Sequence, residues 1–165
     1  MYKIMIDPGH GGKDKANKGP TGYVEADGVL DISLRLKDEL MATGAFEVKL
    51  TRETDVYIEV RTRGEMAASW GADLFLSQHS NASGLAKNTT IRGTEVYSSV
   101  DLKDEALAAK MSKAIAEAIG TEDRGAKKRE SDNYAGEDYY AVIDAAQDGG
   151  VPHVLLIENA FHDDI

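Results

Sequence analysis

The segment Ile4-Met5-Ile6-Asp7-Pro8-Gly9-His10-Gly11-Gly12 constrains this chain more than any other, because an apolar run halts there on a proline and on three glycines that surround one imidazole. Proline has no N–H to give a sheet ladder, so the strand that begins at Tyr2 should end near Asp7, with His10 just beyond it. Two later stretches have the same form. Leu74-Phe75-Leu76-Ser77-Gln78-His79 is apolar on both faces at its start, the pattern of a covered central strand, and it ends on a second histidine. Val154 to Ile157 is a last apolar strand and runs into Glu158.

Helical periodicity fills the intervals. Val29, Ile32, Leu36 and Leu40 predict a helix from about Glu25 to Thr43, stopped by Gly44. Phe46, Val48 and Leu50 alternate with Glu47 and Lys49 as a half-buried strand that ends at Thr51-Arg52, and a second helix should span Tyr57 to Trp70. Residues 80–91 read as a polar loop and Gly93 to Ser98 as a strand. Asp101 is expected to cap a helix whose apolar face is Leu107, Met111, Ala114, Ile115 and Ala118, closed by Gly120. Residues 121–138 are charged and turn-rich, which predicts a loop, and Tyr139 to Ile143 predict a strand. Strands alternating with helices imply an α/β domain with a mainly parallel central sheet of about six strands and helices on both faces. In such sheets the ligand site lies beyond the carboxyl ends of the strands. His10, His79 and Glu158 fall at that edge, and Glu25 joins them at the start of the first helix.

Composition narrows the chemistry. A chain of 165 residues with 42% hydrophobic and 29% charged residues is of ordinary globular make-up and of single-domain length. It has no cysteine, so any metal site must be built from histidine and carboxylate. The net charge of −10 disfavours a nucleic-acid partner, and the one basic cluster, Lys127-Lys128-Arg129, reads as a solvated loop. No apolar run is long enough to insert in a membrane. The N-terminus enters a strand directly, from which no signal peptide is expected.

Two imidazoles and a carboxylate suit a catalytic zinc, which takes three such ligands and keeps a fourth position for water. Such an ion lowers the pKa of water from about 15.7 towards about 7. A glutamate off the metal can then take the proton and pass it to a leaving nitrogen. Each residue also has a plainer use: surface or core histidines, a helix-start carboxylate favoured by the macrodipole, a strand-end charge. His153 should be structural. His162, Asp7 and Asn81 lie close enough to orient a ligand or contact substrate, and Tyr134, Tyr139 and Tyr140 could line a glycan groove or pack.

Asp7-Pro8-Gly9-His10-Gly11-Gly12, Glu25 opening a helix, Ser77-Gln78-His79-Ser80-Asn81-Ala82 and Leu156-Ile157-Glu158-Asn159-Ala160-Phe161 resemble, in order, the motifs of the zinc-dependent N-acetylmuramoyl-L-alanine amidases of the Amidase_3 family. Gly93-Thr94-Glu95-Val96-Tyr97 and Asp123-Arg124-Gly125 resemble further pieces of it. The resemblance implies one Zn2+ held by His10, Glu25 and His79, and Glu158 as the catalytic glutamate. The implied substrate is bacterial peptidoglycan, cut between the lactyl group of N-acetylmuramic acid and L-alanine by a monomer acting on the cell wall. The family usually has Glu-Thr-Gly-Phe or Glu-Ser-Gly-Phe where this chain has Glu158-Asn159-Ala160-Phe161. The sequence stops at Ile165, ahead of the helix that in similar proteins follows the last strand, which fits a catalytic domain over 1–165 trimmed before that helix and a wall-binding domain. An endolysin made in a host cytoplasm and released by a holin fits the expected lack of a signal, as does an excised domain of a secreted autolysin. A zinc peptidase cutting within the stem or cross-bridge, and a non-catalytic wall-binding module, are the rival readings.

Overall fold

The computed structural model describes residues 1–84 and 90–164, so residues 85–89 of the expected 80–91 loop lie outside the described residues. Among the described residues six strands and four helices follow in the order β1 (Tyr2–Pro8), α1 (Glu25–Ala42), β2 (Phe46–Leu50), α2 (Val60–Trp70), β3 (Leu74–Asn81), β4 (Thr94–Ser98), α3 (Glu105–Ile119), β5 (Asp123–Lys127), α4 (Ala141–Asp148) and β6 (His153–Phe161), alternating except that β3 leads directly to β4. They form one sheet in the order β2-β1-β3-β6-β4-β5. All pairings are parallel except that of β4 with β6. The α/β architecture with a mostly parallel sheet is as expected.

Alternation along the strands builds two cores. Met5, Phe75, Val154 and Leu156 point to one face, where Ala67 of α2 and Val142, Ile143 and Ala146 of α4 cover them. Ile4, Ile6, Leu76, Leu155 and Ile157 point to the other, under Leu36 and Leu40 of α1 and Ala108, Leu107 and Met111 of α3. Parallel strands buried on both sides need this double cover, because every second side chain would otherwise face water. Among the described residues no helix is long and apolar enough to cross a membrane.

Four expectations are corrected. Tyr139 to Ile143 is not a strand: α4 begins at Ala141, and Ala145 and Ala146 continue the buried face of Val142 and Ile143. Here packing overrides β-propensity, with Gly64 of α2 so close that a Cβ on it would lie 2.5 Å from the Ala146 nitrogen. The sixth strand is instead Asp123–Lys127, inside the expected 121–138 loop. It is an edge strand, Asp-Arg-Gly-Ala-Lys, with no apolar alternation to betray it. Lys127 therefore belongs to a strand, and Lys128 is tied to Glu105 and to the Leu102 carbonyl. The cap of α3 falls at Asp104 rather than Asp101, and the Asp104 carboxylate turns away to His153 and the Val154 N–H.

Candidate metal centre

β1, β3 and β6 run side by side and in parallel, so their carboxyl ends deliver His10, His79 and Glu158 to one edge, with His79 in register with Glu158. β6 extends through Phe161, which sets Glu158 within the strand rather than at its end. It is flanked by His79 of β3 and by Glu95 of β4. Glu25 opens α1 and is buried.

His10, Glu25 and His79 converge, with one donor atom of each lying within 4.8 Å of the others. Glu25 Oε1 sits 3.2 Å from His10 Nε2 and 3.1 Å from His79 Nδ1. The two rings meet edge to face at 5.1 Å. On its far side His10 Nδ1 is 2.9 Å from Asp14 Oδ2, a contact that would keep the Nδ1 proton in place when Nε2 gives up its own to a metal. Glu25 is held by the Ser80 N–H at 3.0 Å and by the Asn17 side-chain amide at 2.9 Å. Gly9 is required here because a Cβ on it would lie 2.3–2.8 Å from the His79 ring.

The electrostatics pull the two glutamates apart. Burial pushes the Glu25 carboxyl up, but hydrogen bonds from His10 and His79 outweigh it and hold Glu25 well below the usual carboxylate range. His10 moves up: burial opposes its charged form, and Glu25 and Asp14 favour it more strongly. Glu158 is pushed up to about 7, chiefly by burial, with the Glu25 and Glu95 charges adding and His79 and His10 opposing. Its Oε2 has no hydrogen-bond partner among the described residues. A buried, unpartnered carboxylate oxygen is costly unless a ligand or a proton comes to it.

A cavity of about 320 Å³ opens on this group, lined by His10, Glu25, His79, Glu158, Asn81 and Tyr140 among others. Asn81 is placed at the site, but both ends of its amide are already engaged. Nδ2 donates to Glu95 Oε1 at 2.9 Å, and Oδ1 accepts from the Ala82 N–H at 2.8 Å. Arg124 closes the same network on Glu95 Oε2 at 2.8 Å. His162 reaches Ser80, accompanied by a stacked Tyr23, while His153 pairs with Asp104 at the other end of β6. Asp7 is buried and takes hydrogen bonds from Thr51, Ser77 and Arg63. Tyr140 lines the cavity, whereas Tyr134 and Tyr139 are exposed outside it. Sequence reasoning missed Asp14, Asn17 and Glu95. A polar residue at loop spacing from a ligand carries no periodic signal, although Glu95 could have been suspected as an acid in the middle of a short strand.

Two imidazoles and a carboxylate at the lip of a parallel sheet, with a second buried carboxylate alongside, are a donor set that could hold a divalent metal ion. The chain belongs to the Amidase_3 family, described as N-acetylmuramoyl-L-alanine amidase, whose model matches residues 4–164. It is 38% identical over 127 residues to N-acetylmuramoyl-L-alanine amidase LytC of Bacillus subtilis (strain 168), covering 75% of this chain and 25% of the relative. It is 35% identical over 131 residues to the endolysin of Bacillus phage SPP1, covering 75% of this chain and 46% of the relative. The catalytic domain of CwlV, an N-acetylmuramoyl-L-alanine amidase from Bacillus (Paenibacillus) polymyxa var. colistinus, superposes with a TM-score of 0.82 at 29% identity, over 99% of this chain and 83% of that one. The chain thus spans less than half the length of these two curated relatives.

Proposed function

We propose that this domain hydrolyses the amide joining the lactyl group of N-acetylmuramic acid to L-alanine in bacterial peptidoglycan, with one zinc ion held by His10, Glu25 and His79. The observation that carries the reading is the convergence of those three donors beside a buried Glu158 whose Oε2 has no hydrogen-bond partner among the described residues. The donor set fits the ion: two neutral nitrogens and one carboxylate offset a single negative charge against two positive, and the cavity leaves an open side. Bound zinc supplies Lewis-acid polarisation of an amide carbonyl and acidifies water at neutral pH.

The chain's own residues do the rest. Asp14 fixes the His10 ring, and the Ser80 N–H and Asn17 fix the Glu25 carboxylate, so these two donors stand ready without searching rotamers. Glu158 is the proton carrier. In the metal-free chain burial raises its pKa to about 7, and a carboxylate at this place can accept a proton from water and give it to the departing alanine nitrogen. Asn81 holds Glu95 in place with one side of its amide, and it lines the cavity where a stem peptide would lie. Relatives from a bacterium and from a phage match the same domain, so what they share bears on the bond cut and not on how the protein reaches the wall.

End-group analysis of digested peptidoglycan tests this. New N-terminal L-alanine, lost on chelation and restored by zinc, is the expected result. Other new amino termini would mean a peptidase on the same scaffold, and no new ends from folded, zinc-loaded protein would leave a binding module.

A further inference from the structure

We infer that Arg52 and Arg63 are positioning residues of the metal site, two buried guanidinium forks that hold the His10 turn in its donating geometry before any metal arrives. The inference rests on the zinc reading above and adds to it the part of the chain that builds the site. His10 has a φ of 60°, in the left-handed region that a non-glycine residue seldom adopts. Such a backbone persists only where its surroundings over-determine it.

The surroundings here are arginine. Arg52 donates from Nε to the Pro8 carbonyl at 2.9 Å and from Nη2 to the Gly9 carbonyl at 2.8 Å. Arg63 donates from Nη1 to the Pro8 carbonyl at 2.8 Å and from Nη2 to the His10 carbonyl at 2.7 Å. Three successive carbonyls leading into and through the strained residue are thus fixed by two arginines that are each 3% exposed. Arg52 also donates to the Ala26 carbonyl at 2.7 Å, one residue past Glu25, and to the Thr54 carbonyl at 3.1 Å. It therefore ties the loop that carries one donor to the helix that carries another. The connection between β2 and α2 presses in from the same segment: Asp55 accepts from the Gly12 N–H at 2.8 Å, and a Cβ on Gly11 would lie 2.4 Å from the Val56 carbonyl oxygen.

Arg63 has a second task, since it neutralises the buried Asp7 at 3.0 Å. Arg52 has no ion pair among the described residues, and its hydrogen bonds there all go to carbonyl oxygens. Burying a guanidinium on carbonyls alone is expensive, and burial with the nearby Arg63 charge lowers its pKa. What the arrangement yields is backbone position. A lysine cannot replace it, because one ammonium on a flexible stem cannot span four carbonyls as a planar fork does.

The test is Arg52→Lys, read by zinc affinity in competition with a chromophoric chelator and by the visible spectrum of the Co2+-substituted protein. The expected result is a loss of about tenfold or more in zinc affinity, in the range of changes to groups that orient ligands, together with an altered Co2+ band and retained cooperative unfolding. Unchanged affinity and spectrum in folded Arg52→Lys would overturn the inference. A measurement on the unaltered chain decides if that variant does not fold: amide exchange at residues 9–12 without metal. Protection equal to that of the zinc-loaded protein supports a preformed turn, and protection gained only on zinc binding refutes it. Unaltered protein that binds neither zinc nor Co2+ would remove the zinc reading itself, and this inference with it.

Discussion

Two groups of three potential metal ligands occur among the described residues, and they have opposite characters. His10, Glu25 and His79 lie at the sheet edge, and Glu137, Asp144 and Asp148 lie around α4, each set with donor atoms within 4.8 Å of one another. The first mixes two neutral nitrogens with one buried carboxylate whose affinity for protons is lowered by its partners. The second is carboxylate only, with two of its members exposed, and Arg61 already sits 2.7 Å from Asp144 and 3.8 Å from Asp148. Glu137 is raised there by its hydrogen bond to Asp144, the mark of two like charges sharing a proton. Proximity alone therefore does not make a site. What separates the two is a built surround: Asp14, Asn17, the Ser80 N–H and the arginine-held turn aim the first set, while the second is compensated by a surface guanidinium.

The sharpest way to break this comparison is to remove one member from each. His79→Ala should lower zinc affinity by more than about a hundredfold and abolish chelator-sensitive hydrolysis, because two remaining ligands do not make a zinc site. Asp144→Ala should leave zinc affinity unchanged by the same titration. Equal effects from the two would erase the distinction. Glu158→Gln should cut turnover by about 10²–10⁴ while zinc still binds, the loss expected when a proton carrier is removed and the ligands are spared. Loss of zinc binding in that variant would make Glu158 a ligand. Asp14→Asn weakens the brace on His10 and should lower zinc affinity by about tenfold. A titration indistinguishable from that of the unaltered chain would show that the turn alone sets the ring.

A smaller effect follows from pH in the metal-free protein. Glu158 is an acid whose folded pKa, about 7, exceeds its ordinary value of 4.5, so between these values the folded chain holds a proton that the unfolded chain releases. Stability then falls as pH rises through that window, by about 3 kcal/mol at full ionisation. Glu158→Gln should flatten this slope in urea melts at pH 5 and pH 8, and an unchanged slope would place the titration elsewhere. At the α4 cluster, Asp148→Asn should change stability by less than about 1 kcal/mol, as for an exposed ion pair.

Much of this molecule was legible in one dimension. The apolar runs at Ile4–Ile6, Leu74–Leu76 and Val154–Ile157 marked strands covered on both faces, and their endings on His10, His79 and Glu158 marked the edge where a site would form. Those features are local: a strand's period and its stop signals are written in consecutive residues. Asp123–Lys127 and Ala141–Asp148 were not legible. An edge strand needs only backbone partners, so Asp-Arg-Gly-Ala-Lys can be one without looking like one. A β-rich run such as Tyr139 to Ile143 is forced towards helix once Ala145 and Ala146 dock against Gly64.

The sequence by itself determined the residue types and their order, and hence the chemistry available: nitrogen and carboxylate donors, no thiolate, one glutamate in reserve. Only the tertiary structure decided that Glu25, fifteen positions after His10, shares an oxygen's space with both imidazoles. It also decided that Asp14, Asn17, Arg52 and Arg63 hold them there. Donor identity is a property of side chains, whereas donor position is a property of carbonyls and N–H groups brought together from β1, α1 and the β2–α2 connection. No spacing along one chain encodes that convergence.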